Sequence, residues 1–178
     1  RLRRDMIIAL ADTLAFPDQV VFQGDTVIMP IRLHNSQPLK DLVLPVTWSG
    51  TGTLSFVGLN TDSCRTDYFD QVSGVVNSPA QSLVVIRFIA DQSFSNLPMM
   101  PGNGDVAHLL FQVTSSSGSF VFDTTSYGDY ATILNAGYIE YTPAVQAGEV
   151  GVFICGDADG NGSGPNVADL TALVDYLY

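Results

Sequence analysis

Positive charge, glutamate, cysteine and long apolar runs are all scarce in this 178-residue chain. It holds 7 Lys+Arg against 18 Asp+Glu, a formal net charge of −11. Arg1, Arg3 and Arg4 crowd the start, which leaves Arg32, Lys40, Arg65 and Arg87 as the bases of everything that follows. A surface this acidic offers no electrostatic footprint for a phosphate backbone, so no nucleic-acid partner is expected. No apolar run approaches the ~18–20 residues that span a bilayer, so no transmembrane segment is expected. Glu140 and Glu149 are the only glutamates and Lys40 the only lysine, whereas Asp, a turn and cap residue, is abundant. That balance disfavours long surface helices and suits turns and hard-cation sites. Cys64 and Cys155 are too few for a disulfide-built fold and share no CxxC spacing; a single disulfide between them is open to the chain in an oxidising compartment.

Apolar residues are plentiful, at 46 % against 14 % charged. The chain can therefore bury a core and is not a disordered acidic tail. Residues 1–11 pair an arginine cluster with Met6-Ile-Ile-Ala-Leu-Ala11, a faint signal-peptide pattern that Asp5 interrupts and that is too short. It reads as the start of a mature chain.

Most of the sequence alternates with period two. Residues 27–33, 42–48, 54–59, 83–90, 106–114, 119–123, 131–134, 137–142 and 150–154 are strand-like, with 6–16 and 19–23 before them. Pro30 and Pro45 interrupt two of these segments and predict edge strands or bulges. Short strands separated by Gly, Asn, Asp, Ser and Pro, without intervening helices, predict an all-β antiparallel sandwich or barrel.

The last 24 residues change character. Asp157, Asp159 and Asn161 alternate, as ligands must if one short loop is to wrap a single cation. Gly162 follows where such a loop turns sharply, Ser163 offers its backbone carbonyl, and Asp169 closes the set. These hard oxygens suit Ca²⁺. Leu170, Leu173, Val174 and Leu177 then form an i, i+3, i+4, i+7 stripe on a helix of about ten residues. Asn166 is placed to cap it, with Asp169 at the third helical position.

Gly156-Asp157-Ala-Asp159-Gly160-Asn161-Gly162, with Asn166-Val-Ala-Asp169-Leu170, resembles one dockerin type I repeat of bacterial extracellular proteins. Gly164-Pro165 stands where that family has one hydrophobic residue, and Val167-Ala168 stands where some members have Ser-Thr. Dockerins carry two repeats, and this chain has one. Gly24-Asp25-Thr26-Val27 leading into 29–33 and Asn35, then 54–58 and 105–113, is similar to the cohesin pattern. That likeness implies a jelly-roll-like β-sandwich of about nine strands over residues 1–154, followed by a dockerin-like half-module, calcium loop plus helix, over 155–178.

Enzymatic signatures are missing. His34 and His108 have no metal or triad partner at motif spacing, and no G-x-S-x-G, Walker or Rossmann pattern occurs. Trp48 alternates with Val46 and Leu44 and is expected in the core, not on a sugar platform. Asn161-Gly-Ser163 is formally a glycosylation sequon, but Asn161 is needed in the loop.

Taken together, the expectation is a secreted, extracellular or cell-surface, non-catalytic protein that binds Ca²⁺. Its interface stripe Leu170, Leu173, Val174 and Leu177 would have to be covered by its own sandwich, a further segment or a neighbouring molecule. The partner expected is a second copy, joined head to tail into a fibre, or another cohesin- or dockerin-type protein. The alternative is an accessory module of a larger secreted enzyme or scaffold, binding carbohydrate or behaving as a cohesin.

Overall fold

The computed structural model describes residues 12–91, 96–115 and 117–177. Residues 1–11, read above as the start of a mature chain, lie outside them, and so does most of the strand-like segment 6–16, of which β1 below is the described part. Thirteen strands precede one helix: β1 (Thr13–Ala15), β2 (Gln19–Phe22), β3 (Thr26–Asn35), β4 (Asp41–Gly50), β5 (Leu54–Asn60), β6 (Gln71–Ser78), β7 (Leu83–Ile89), β8 (Gly102–Val113), β9 (Gly118–Thr124), β10 (Ile133–Asn135), β11 (Glu140–Tyr141), β12 (Ala144–Gln146), β13 (Gly148–Phe153) and α1 (Val167–Leu177).

The strands form two sheets. The smaller runs β12-β1-β3-β8-β5, and the larger runs β11-β10-β4-β9-β13-β2, with β7 on the other edge of β4 and β6 outside it. The count exceeds nine because the first and last strands each divide between the sheets and a short β10–β11 pair is added. β1 and β2 pair parallel with β12 and β13 respectively, and all other pairings are antiparallel. The parallel register matters for placement. Thr13 aligns with Ala144 and Phe22 with Phe153, so the chain enters the sandwich at one pole and β13 delivers the C-terminal segment at the other.

Alternation builds the core. Val27, Met29, Ile31 and Leu33 of β3 and Leu42, Leu44, Val46 and Trp48 of β4 point inward and are buried. Phe111 is the hub of an aromatic cluster, with ring centroids 4.9 Å from Trp48, 5.1 Å from Phe122 and 5.5 Å from Phe56, each edge-to-face, the geometry the ring quadrupoles favour. Trp48 is thus a core residue, as its pattern predicted, and offers no sugar platform.

Neither proline marks an edge strand, since both β3 and β4 are central; of the two alternatives, only an irregularity beside Pro30 is found, where the β3–β8 register shifts between Ile31 and Arg32. β1 pairs with β3 only at residues 32–34, so Pro30 faces a stretch where that neighbour is missing. On β4, β10 covers residues 41–43 and β9 covers 46–50, and Pro45 sits in the gap between them. Its carbonyl there accepts from the Thr125 N–H at 3.0 Å. A residue without an N–H is tolerated where no ladder partner waits for one.

β6 and β12 escape the sequence pattern. β6 contains Ser73 and Gly74, and its register slips between Gly74 and Val76, which erases the alternation. Ahead of it, Arg65 pins the β5–β6 connection. Its guanidinium donates to the carbonyls of Leu33 (3.0 Å), Gly102 (3.2 Å) and Met100 (2.6 Å) and to Asn35 Oδ1 (2.8 Å). A planar fork with five donors can serve several acceptors at once, as an ammonium cannot.

Candidate functional site

The C-terminal segment leaves β13 through a turn in which the Asp157 N–H donates to the Ile154 carbonyl at 3.2 Å. Gly156, Gly160 and Gly162 all have positive φ, of 87°, 70° and 76°. Such conformations suit glycine and allow the loop to fold back on itself. A Cβ at Gly156 would stand 2.7 Å from Pro165 Cγ. Pro165 therefore packs on Gly156 and closes the base of the loop, so the Gly164-Pro165 pair that departs from the dockerin pattern has a structural role.

Backbone donors aim the acidic side chains inward. Asp157 accepts from the N–H of Asn161 (3.0 Å) and of Gly162 (2.8 Å). Asp159 Oδ1 accepts from the Asn161 N–H at 3.1 Å, and Asn161 Oδ1 from the Ser163 N–H at 2.8 Å. Asp169 joins loop to helix: Oδ1 accepts from the Asp159 N–H at 3.2 Å and Oδ2 from the Asn166 N–H at 2.7 Å. Asn166 Oδ1 in turn accepts from the Ala168 N–H at 2.7 Å. Asn166 and Asp169 thus cap α1 reciprocally, as their spacing predicts.

The outcome is one carboxylate cluster. Ligand oxygens of Asp157, Asp159 and Asp169 lie within 4.8 Å of one another, and no basic residue occurs anywhere in residues 154–178. Three like charges this close repel, and a divalent cation removes that repulsion. Asp169 is the buried residue of α1. Burial pushes its carboxyl up, but the backbone N–H groups of Asp159, Asn166 and Ala158 outweigh this and hold it below the ordinary carboxylate range. A group held ionised is a competent ligand. The donor set is all hard oxygen and fits Ca²⁺.

The stripe beyond the loop is uncovered. Leu170, Leu173, Val174 and Leu177 are 62 %, 50 %, 45 % and 65 % exposed. Among the described residues, the chain's own sandwich does not cover this face.

The disulfide open to Cys64 and Cys155 is not formed; both thiols are free. Cys64 is buried against His108 of β8, whereas Cys155 follows β13 of the other sheet and is exposed. The structure also assembles something the spacing hid: Cys64 Sγ lies 3.7 Å from His108 Nδ1, and His108 Nε2 lies 3.3 Å from Asp105 Oδ2. The order imitates nucleophile, base and orienter, but the chemistry runs the wrong way. Burial, and then Asp105, Asp67 and Asp62, push the Cys64 thiol up to about 11. A buried neutral thiol is a poor nucleophile. In native protein, a thiol reagent is expected to label Cys155 promptly and Cys64 only on unfolding, so Cys155→Ser should abolish native labelling.

The same shift sets a pH dependence. A folded value of about 11 against an ordinary 9.0 means that the stabilisation is complete below pH 9 and is lost as pH rises through 11. Tyr141 adds in the same direction: burial first, and then its hydrogen bond to Asp12, raise its hydroxyl. Thermal melting should fall across this alkaline window and be flat just below it.

No family model and no curated protein matches the sequence at a significant level. Solved structures do. CaCohA2 from Clostridium acetobutylicum aligns with a TM-score of 0.64 and 17 % identity, over 84 % of this chain and 94 % of that one. A chain from a type I cohesin–dockerin complex of Clostridium thermocellum gives 0.63 and 13 %, over 80 % and 99 %. The non-cellulosomal cohesin of the archaeon Archaeoglobus fulgidus gives 0.57 and 11 %, over 84 % and 96 %. At such identities the likeness is one of fold, and the fold is the cohesin-type jelly-roll sandwich.

Proposed function

We propose that this protein is a non-catalytic, extracellular assembly subunit. Its C-terminal loop binds Ca²⁺ through Asp157, Asp159, Asn161, the Ser163 carbonyl and Asp169, as a dockerin-like half-module. The bound ion braces α1, and α1 docks on another copy, head to tail, so that copies build a fibre. The observation that carries this reading is the exposed stripe Leu170, Leu173, Val174 and Leu177 standing directly on the carboxylate cluster. An eleven-residue helix is marginal alone in water, and a cation that ties its first turn to a loop supplies the missing order. A tail that meets a different surface on the next copy makes a heterologous contact, and such contacts propagate unless the rotation closes a ring. Extracellular calcium sites work at millimolar ion, which suits a loop this exposed.

The second reading has its own support. One structural neighbour comes from a type I cohesin–dockerin complex, so the sandwich of this chain is also suited to receive a dockerin from another protein, as an accessory module of a larger assembly.

Light scattering and negative-stain electron microscopy in millimolar Ca²⁺ and in EGTA separate the two. Concentration-dependent oligomers or fibres in Ca²⁺, dispersed by EGTA, are expected. A monomer in both conditions would remove self-assembly and leave the accessory-module reading.

A further inference from the structure

We infer that residues 1–11 of one copy dock on the loop and helix of the next, with Met6, Ile7, Ile8 and Leu10 covering the stripe of α1 and Arg1, Arg3 and Arg4 set beside its aspartates. This rests on the self-association proposed above and names the segment that meets the helix. The two stretches are opposites in the sequence. Residues 1–11 hold three arginines and one aspartate, a net +2 in a chain whose total is −11. Residues 154–178 hold Asp157, Asp159, Asp169 and Asp175 and no base. One Ca²⁺ in the loop brings that −4 to −2, so the two stretches still attract with the ion bound. Each also joins its charge to apolar side chains: four within positions 6–10, and the four exposed ones of α1.

Reach selects a second copy over the chain's own segment. Asp12 is fixed at the entry pole, where its carboxylate accepts from the Ser36 N–H at 2.8 Å and from the Tyr141 hydroxyl. From there Leu10 extends at most about 7 Å and Met6 about 20 Å. The loop sits at the other pole. Thr13 aligns with Ala144 and Phe22 with Phe153, so the poles are about 30 Å apart along the strands. Past Phe153 the loop rests on the β8–β9 turn: a Cβ at Gly162 would stand 3.2 Å from Ser117 Oγ, and Gly118 pairs with Val152. Asp169 ties the first turn of α1 to that loop, which holds Leu170 and Leu173 there. In a head-to-tail row, the entry pole of one copy meets the loop pole of the next, and the two stretches come together.

The receiving surface suits such a segment. An apolar depression of about 270 Å³ between the loop and α1 is lined by Ala158, Pro165, Leu170 and Leu173. It accommodates an aliphatic side chain of the size of Met6, Ile8 or Leu10. Other apolar side chains are as exposed, but among the described residues this stripe is the one that stands on a cluster of three carboxylates. A basic, apolar segment recognises both features at once. Pairing α1 with α1 would instead bring two acidic tails together, which like charge disfavours. Segment-on-helix recognition works through a few anchors beside opposite charge and not through area. The link is weaker than a standard interface, so rows form at high protein concentration.

Complementation tests the pairing. The segment variant carries Ile7→Ser and Leu10→Ser, and the helix variant carries Leu170→Ser and Leu173→Ser; the full chains are weighed by light scattering in millimolar Ca²⁺. Wild type is expected to associate, and more weakly as salt is raised. Each variant alone should weaken association at least about tenfold. Their equimolar mixture should form a one-to-one dimer, because the intact segment of the helix variant meets the intact helix of the segment variant. A segment variant that associates as wild type does would overturn the docking assignment while leaving self-association intact. A mixture that stays monomeric would overturn it as well. A wild type that stays monomeric in Ca²⁺ would remove self-association itself, and this docking with it. Thermal melting checks that the variants fold. Arg3→Glu with Arg4→Glu repeats the test through charge alone: weakened association is expected, and association as tight as that of wild type would overturn the pairing.

Discussion

Stripping the metal with EGTA is expected to have the largest effect on the C-terminal module. If millimolar Ca²⁺ stands at about ten times the dissociation constant of such a site, its removal takes away about 1.4 kcal/mol of stabilisation from whatever structure the site requires. That exceeds what a short, solvent-exposed helix holds in reserve, so α1 should melt while the sandwich remains. Circular dichroism should lose its helical component in EGTA and regain it with Ca²⁺, with the β signal unchanged. Asp157→Ala and Asp159→Ala should reproduce the EGTA state at any calcium concentration. Asp169→Ala should go further and lower helix content even in EGTA, because its carboxylate also accepts the N–H groups of Asp159 and Asn166 and completes the cap. Calorimetry on the same proteins decides the matter: no heat of divalent-ion binding by wild type would remove the calcium site.

The second large effect belongs to the sandwich. Phe111 touches Trp48, Phe56 and Phe122 between the two sheets and is fully buried. Phe111→Ala should cost about 3–5 kcal/mol, since a cavity left among rigid rings cannot collapse. In a chain of this size that lowers the melting temperature by roughly 6–20 °C. Val121→Ala, on the outer face of β9, should change stability by less than about 0.5 kcal/mol. A core truncation that melts no earlier than the surface one would mean that the two sheets do not pack as described.

These two regions were unequally legible in the residues alone. The loop was nearly complete in the sequence, because its carboxylates, its glycines and its cap lie within about a dozen positions, and local spacing dictates local geometry. Asp157, Asp159 and Asp169 do converge, and Asn166 does cap α1. The strands on which period two is clean, such as β3, β4 and β7, were equally plain. β6 was not, because a register slip and small polar residues break its alternation.

Long-range placement is where reading along the chain stops. Pro30 and Pro45 pointed to edge strands or bulges, yet each sits in a central strand opposite a missing neighbour, with a register shift beside Pro30 alone, which only the pairing of distant segments reveals. Cys64 meets His108 across 44 positions, and Arg65 serves carbonyls more than thirty positions away on both sides; no spacing rule anticipates such contacts.

By itself, the sequence determined that this chain is an acidic β-sandwich with an aspartate-rich loop and an amphipathic helix at its end, because composition, periodicity and local spacing are local properties. The tertiary structure decided that the helical stripe stays uncovered and that the cysteines stay apart. Each of these depends on which strands become neighbours, and strand neighbourhood is set by the packing of the whole chain.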